Sequence, residues 1–194
     1  MKWAETKDGF VAPITKVENK PVFISNIYSQ QLVHKLRSTE HAILVGTNTV
    51  LADNPKLNVR SWSGENPVRV VLDSALRIPE NSNVLDGSVK TIFITAPGNK
   101  KKAPKGNVIF EEIDFSENIA KQICVILDNH NIQSIIIEGG RQTLQTFIDE
   151  NLWDEALVFV GDTCFHKGVK APILKKQFKE ELIKGDVLKR YMND

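Results

Sequence analysis

Short apolar runs alternate with stretches of helical periodicity along most of this chain. Residues 42–45, 68–73, 91–95, 134–138 and 155–160 are dense in Val, Ile, Leu and Phe, and each predicts a strand. Residues 107–113 alternate loosely and predict another. Lys2-Trp3-Ala4 reads as a strand running into a turn at Lys7-Asp8-Gly9, and 22–25 is a further short apolar run. Three segments carry the helical period. In 27–38, Ile27, Leu32, Val33 and Leu36 share one face, with Asn26 as the N-cap. In 116–130, Ile119, Ile123, Ile126 and Leu127 do the same, with Ser116 as the cap. Residues 141–150 form the third, and 185–191 alternate as a closing edge strand would. Continuous apolar strands are buried on both faces, which suits a parallel sheet. Alternation with helices adds right-handed crossovers. The expected fold is three-layer α/β with a mainly parallel sheet, in one domain over 1–194.

Composition narrows the function. A chain of 194 residues can bury a sizeable core, and 41% hydrophobic with 25% charged residues is ordinary for a globular protein. The net charge of +1 supplies no field for nucleic acid or an anionic membrane. No apolar run approaches the roughly 20 residues of a membrane helix, so the expected location is the cytoplasm. The basic run 100–102 reads as a solvated loop. Cys124 and Cys164 lie in no CxxC pair, which argues against structural zinc. Cys124 falls on the apolar side of its helical pattern and is expected to be a small buried hydrophobe. His34, His41, His130 and His166 do not cluster in sequence. There is no GxSxG, HExxH, GxxxxGK[ST] or GxGxxG, so nothing points to covalent or metal catalysis, a Walker loop or the dinucleotide fingerprint.

What remains is polar chemistry at strand ends, where open α/β sheets collect ligands. After 42–45 come Gly46, Thr47, Asn48 and Thr49, then Asp53-Asn54-Pro55 and Arg60. After 68–72 come Asp73 and Ser74. After 134–137 come Glu138-Gly139-Gly140 and Arg141-Gln142-Thr143. Two glycines between a strand and a helix let backbone approach a ligand, and the helix start suits a phosphate. The same pair also fits a simple tight turn, and Asp53-Asn54-Pro55 also fits a plain turn. Arg37 and Arg60 are each candidates for a bidentate grip on phosphate or for a surface ion pair.

Taken together, KWAETKDGFVA (2–12), the run from Arg37 to Arg60, PVRVVLDS (67–74), IIIEGGRQTLQTFIDENLWDEALVF (135–159) and KGDVLKRY (184–191) are distinctive. They resemble the reductase domain of the riboflavin-pathway bifunctional deaminase–reductase, over nearly the whole chain. The resemblance implies a dihydrofolate-reductase-like fold. It implies NADPH-dependent reduction of the ribose of 5-amino-6-(5-phosphoribosylamino)uracil to a ribityl chain. Residue by residue, it puts Ala4, Phe23, Thr49, Asp53 and Ser74 at the cofactor. Gly139, Gly140, Arg141, Gln142, Thr143, Leu144, Gln145 and Thr146 belong there too. It puts Arg37, Leu57, Arg60 and Glu138 at the substrate, and Lys2, Asp53 and Glu138 nearest the reacting carbon, with the proton donor open among those three. A homodimer is expected from the family.

The chain departs from the family in having Pro21 and Phe23 for the commoner Ser and Trp, and Arg141-Gln142 for Pro-Thr. Its 162–181 segment is shorter and more basic. The zinc-deaminase signatures HxE and PCxxC are absent, so no deaminase domain is expected in this chain. A deaminase would be a separate protein or a covalently linked domain, and the first motif at Lys2 favours an excised reductase half over a stand-alone reductase. Three other readings stand beside this one: a pterin or dihydrofolate reductase, the 2,5-diamino-pyrimidinone version of the same reductase, and a catalytically silent dimerisation module. Asp53→Asn should keep the fold and cut turnover strongly. Turnover equal to the parent chain would reduce Asp53 to a turn former.

Overall fold

A computed structural model describes residues 1–14, 22–99 and 106–194. Pro21 and the basic run 100–102 lie outside the described residues. In chain order the elements are β1 (Lys2–Thr6), β2 (Phe10–Pro13), α1 (Ile27–Thr39), β3 (Ala42–Gly46), α2 (Thr47–Asp53), β4 (Val68–Leu72) and β5 (Thr91–Thr95). There follow β6 (Val108–Glu112), α3 (Ile119–Asn129), β7 (Ile135–Gly139), α4 (Arg141–Asp149), β8 (Glu155–Gly161), β9 (Gly168–Lys170), β10 (Phe178–Ile183) and β11 (Asp186–Met192).

Five strands pair in parallel in the order β6-β5-β4-β3-β7. Every residue of β3 and β5 is buried, as their apolar runs require. Alternate residues of β3 serve opposite layers. Ala42 and Leu44 join a core with Ile123 and Leu127 of α3 and Leu144 and Phe147 of α4. Ile43 and Val45 join a second core with Val50 of α2, Val84 and Leu85. At about 1.5–3 kcal/mol for each fully buried large aliphatic side chain, these two layers supply the main drive for folding.

A second sheet has the order β1-β8-β11-β10, with β1 and β8 parallel and β11 antiparallel to β8. β7 and β1 run beside each other, yet no ladder joins them among the described residues. The two sheets therefore meet along a seam. α1 covers the second sheet through Val33, packed on Leu157, Phe159 and Leu188. Its N-cap is the expected one: Asn26 accepts from the Tyr28 and Ser29 amides. Buried Asp186 at the start of β11 then accepts from the Asn26 amide at 2.8 Å and the Ser29 hydroxyl at 2.6 Å. These bonds fix the entry of α1 against the last hairpin.

Four local expectations need correction. The strand at 186–192 is not an edge, because β10 pairs beyond it. The α3 cap is Asn118, which accepts from the Lys121 amide, whereas Ser116 bonds Asp114 in the preceding turn. Cys124 is exposed, since it follows Ile123 on α3 and turns away from the core. Ile27 is 73% exposed and joins no core cluster, whereas Val33, further along α1, is buried.

Candidate active site

Three of the polar groups singled out in the sequence, Lys2, Arg37 and Glu138, converge where β7 ends beside β1. The pairing of β7 with β3 slips between Leu44 and Val45: Leu44 faces Ile137, and Val45 faces Gly139. Glu138 is the extra residue in that bulge. A bulge of this kind re-aims a side chain, and here the carboxylate is directed into the seam. Arg37 of α1 meets it with a two-pronged grip, Nε to Oε1 and Nη2 to Oε2, both at 2.7 Å. Lys2 Nζ approaches Oε2 at 3.9 Å from β1. The three side chains are 11%, 16% and 8% exposed for Arg37, Lys2 and Glu138, so this ion cluster is held largely out of water.

Burial alone would raise the Glu138 carboxyl, but Arg37 and Lys2 override it and bring it down to about 2. Burial pulls the Lys2 ammonium below its usual value and Arg37 adds to that, with Glu138 opposing both. The cluster thus contains a firm carboxylate and an amine made readier to release its proton.

A second group of residues forms a cradle next to the cluster. Gly139 has φ +136°, a conformation other residues avoid, and the Gly139–Gly140 peptide is cis. A Cβ on Gly140 would stand 3.2 Å from Thr49 Oγ1, and one on Gly46 would stand 2.6 Å from Thr143 Oγ1. The ends of β3 and β7 are therefore packed edge to edge, with threonines of α2 and α4 over them. No side chain caps α4 at Gly140. Its first-turn amides and positive dipole end face the cradle, which fits a phosphate-bearing cofactor. Asp53 is four residues after Thr49 on α2 and so lies on the same helical face, one turn further along. Thr47 starts α2 by donating to the Leu72 carbonyl at 2.8 Å and to buried Asp73 at 3.1 Å, which ties this cradle to β4.

The remaining sequence candidates separate into side chains with other work and side chains at or near the surface. Leu144 is 1% exposed and Leu57 2%, and both side chains belong to the cores. They can offer a ligand their main chain only. Gln145 receives the Ile173 amide at 2.7 Å and donates to Asp149, and Thr146 donates back to the Gln142 carbonyl. The Ser74 carbonyl gathers the Ala96 amide and the Asn99 side chain, closing the ends of β4 and β5. Arg141, Gln142 and Phe23 are exposed, and Ala4 is half-buried in β1. Arg60 is exposed and donates to Asn58 Oδ1 at 2.8 Å.

His34 was missed by sequence reasoning. It is 6% exposed, three residues before Arg37 on α1, and its Nδ1 accepts the Arg60 amide at 3.2 Å. Burial, then Arg37 and Arg60, push its imidazole down to about 4, so it is neutral at neutral pH. The i, i+3 spacing to Arg37 was the available signal.

Residues 1–178 match the family described as the RibD C-terminal domain. The chain belongs to that family. Riboflavin biosynthesis protein RibD of Aquifex aeolicus is 32% identical over 95% of this chain and 51% of its own length. The chain therefore spans about half of that relative. The 2,5-diamino-6-ribosylamino-4(3H)-pyrimidinone 5′-phosphate reductase of Methanothermobacter thermautotrophicus is 32% identical over 81% of this chain and 74% of its own length. Among solved structures, the deaminase/5-amino-6-(5-phosphoribosylamino)uracil reductase of Thermotoga maritima superposes with a TM-score of 0.81. It covers 97% of this chain and 54% of that one, at 27% identity. Dihydrofolate reductase from Enterococcus faecalis superposes at 0.53 over 100% of this chain and 95% of that one, at 12% identity. The fold is the dihydrofolate-reductase-like one expected of RibD C-terminal domains.

The ion cluster has a consequence for stability. An unfolded Glu138 would titrate near 4.5, whereas the folded one titrates at about 2. Its contribution is complete above the first value and is lost as pH falls through the second. Glu138→Gln removes that contribution and leaves Arg37 and Lys2 facing each other, a loss of about 3–5 kcal/mol at neutral pH. Urea unfolding should show this deficit shrinking as pH falls from 4.5 toward 2. A deficit independent of pH would contradict the assigned ion cluster.

Proposed function

We propose that this chain carries out the reductase step of riboflavin biosynthesis on a phosphorylated ribosylaminopyrimidine, with NADPH as reductant. The observation that carries the reading is the buried Lys2–Glu138–Arg37 cluster beside the uncapped Gly139-Gly140 turn. A relative named as a pyrimidinone phosphate reductase, and a solved structure named as a deaminase and phosphoribosylaminouracil reductase, support it.

The substrate is 5-amino-6-(5-phosphoribosylamino)uracil. Opening its sugar ring moves a proton from the glycosidic nitrogen to the ring oxygen and leaves a C1′=N bond. Addition of hydride to C1′ and a proton to nitrogen then gives the ribitylamino product. NADPH supplies the hydride when bound. The protein aligns the reactants, holds their phosphates and delivers the proton. Thr49, Thr143, the Gly139-Gly140 main chain and the start of α4 hold the cofactor, and Asp53 takes a cofactor hydroxyl or stands near the chemistry. Glu138 remains a carboxylate at neutral pH, so it accepts hydrogen bonds from the ribose and does not donate the proton. The depressed ammonium of Lys2 is the better donor. Arg60 holds the substrate phosphate, and Arg37 is shared between Glu138 and the substrate. A homodimer, and a deaminase as a linked domain or separate partner, complete the proposal.

A second reading is favoured by the relative named as a 2,5-diamino-pyrimidinone phosphate reductase, which aligns over most of its length. It keeps the same chemistry and reverses the order of deamination and reduction.

NADPH oxidation followed by absorbance should proceed with one of the two phosphorylated pyrimidines and more slowly with NADH. The preferred pyrimidine decides between the readings. Arg60→Ala should raise KM about tenfold to a hundredfold for that substrate and little for its dephosphorylated form, as expected for a lost charge-assisted bond. No turnover together with no tryptophan quenching by NADPH would leave a silent dimerisation module.

A further inference from the structure

The stretch between α2 and β4 has no regular structure through 54–60, and two of its residues, Asn54 and Leu57, have φ of 41° and 51°. Its main chain must therefore be held by side chains from elsewhere. Asn83 donates to the Asn54 carbonyl at 2.6 Å, and the Val59 amide donates to Asn66 Oδ1 at 2.8 Å. Two further ties come from one face of α1. Arg37 Nη1 donates to the Asn58 carbonyl at 3.3 Å, and His34 Nδ1 accepts the Arg60 amide at 3.2 Å. Residues three apart stack on a helix, so these two side chains clamp the chain on either side of Val59. The Arg37 part of the clamp is also the Glu138 ligand.

We infer that His34 is a positioning residue for the substrate phosphate: its Nδ1, bonded to the Arg60 amide, fixes where the Arg60 side chain begins. This rests on the reading of Arg60 as a phosphate ligand. The Arg60 side chain is long and exposed, so the placement of its root decides how much of its range includes the site. The bond requires a free lone pair on Nδ1 and hence the Nε2–H tautomer. Burial and two neighbouring arginines keep the ring in that neutral form. A lysine or arginine at position 34 has no acceptor, and an apolar residue would leave the Arg60 amide without this partner.

The test compares His34→Phe, which fills the space without an acceptor, with His34→Asn, whose side-chain oxygen can replace Nδ1. Two readouts are taken: steady-state kinetics with the phosphorylated and dephosphorylated substrates, and amide hydrogen exchange across 58–60. His34→Phe should raise KM about tenfold for the phosphorylated substrate, with kcat within about twofold, and should speed exchange at Arg60. His34→Asn should recover most of both. In an Arg60→Ala background, His34→Phe should add little to KM. Equal losses in kcat with both substrates, no advantage of Asn over Phe, or unchanged exchange at Arg60 would overturn the assignment. If His34→Phe does not fold, exchange and KM of His34→Asn against the parent and His34→Gln decide the same question, since Gln places its oxygen too far along to meet the amide. A parent chain that turns over neither substrate overturns the proposed function, and the exchange readout still decides whether His34 holds Arg60.

Discussion

A carboxylate taken out of water must be matched by cations or it will not stay charged, and Glu138 is such a carboxylate. Left unpaired it would cost several kcal/mol. Its partners come from elements distant in sequence, Arg37 on α1 and Lys2 at the chain start, and Glu138 itself on β7. The cluster therefore acts as a joint. It brings together β7 of the parallel sheet, β1 of the second sheet and the helix that covers it, along a seam with no ladder among the described residues. The Asp186 bonds to Asn26 and Ser29 anchor the other end of α1, so the helix that carries Arg37 and His34 is fixed at both ends. Seam and site coincide because the polar groups that close one are the polar groups that make the other.

The cofactor side depends on a different constraint, the absence of side chains. Gly46 and Gly140 leave room only for Thr143 and Thr49, and the positive φ of Gly139 turns the chain into α4. A methyl group at either of the first two positions would crowd a threonine. The result is a shallow bed of main chain and hydroxyls beside a buried charge cluster. On the proposed reading, the first surface takes a phosphate-bearing cofactor and the second takes the sugar that is reduced.

Much of this was legible along the chain. β3 and the centre of β5 are apolar runs, and burial on both faces leaves such a run few alternatives, while β7 opens on three isoleucines. Asn26 lies where an N-cap must be, and Glu138-Gly139-Gly140 marks a strand end with unusual chemistry. The losses came where a residue's role depends on a partner far away in sequence. Arg69 lies in an apolar strand and is 0% exposed, because Asp86 and the Asn83 carbonyl receive its guanidinium. β10 is exposed along most of its length, so it gave no apolar pattern, and its neighbour β11 passed for an edge. Cys124 looked buried because it falls on the apolar side of the 116–130 pattern, yet α3 turns it outward. His34 had only its i, i+3 spacing to Arg37 to announce it, since its partner Arg60 lies beyond β3 and α2. Leu57 and Leu144 matched the family's ligand positions while their side chains belong to the core, which periodicity alone could not separate.

The most direct test of this account is the titration of the Lys2 ammonium, followed by carbon NMR at its ε-methylene in the intact chain. The account predicts that Lys2 titrates below the ordinary lysine value of 10.5, and lower still when Glu138 is replaced by Gln, because Glu138 is the group that opposes the burial. A Lys2 that titrates with the surface lysines in both proteins would contradict it. The ammonium would then stand in water, the cluster would not be buried, and the seam would have to be held by something else.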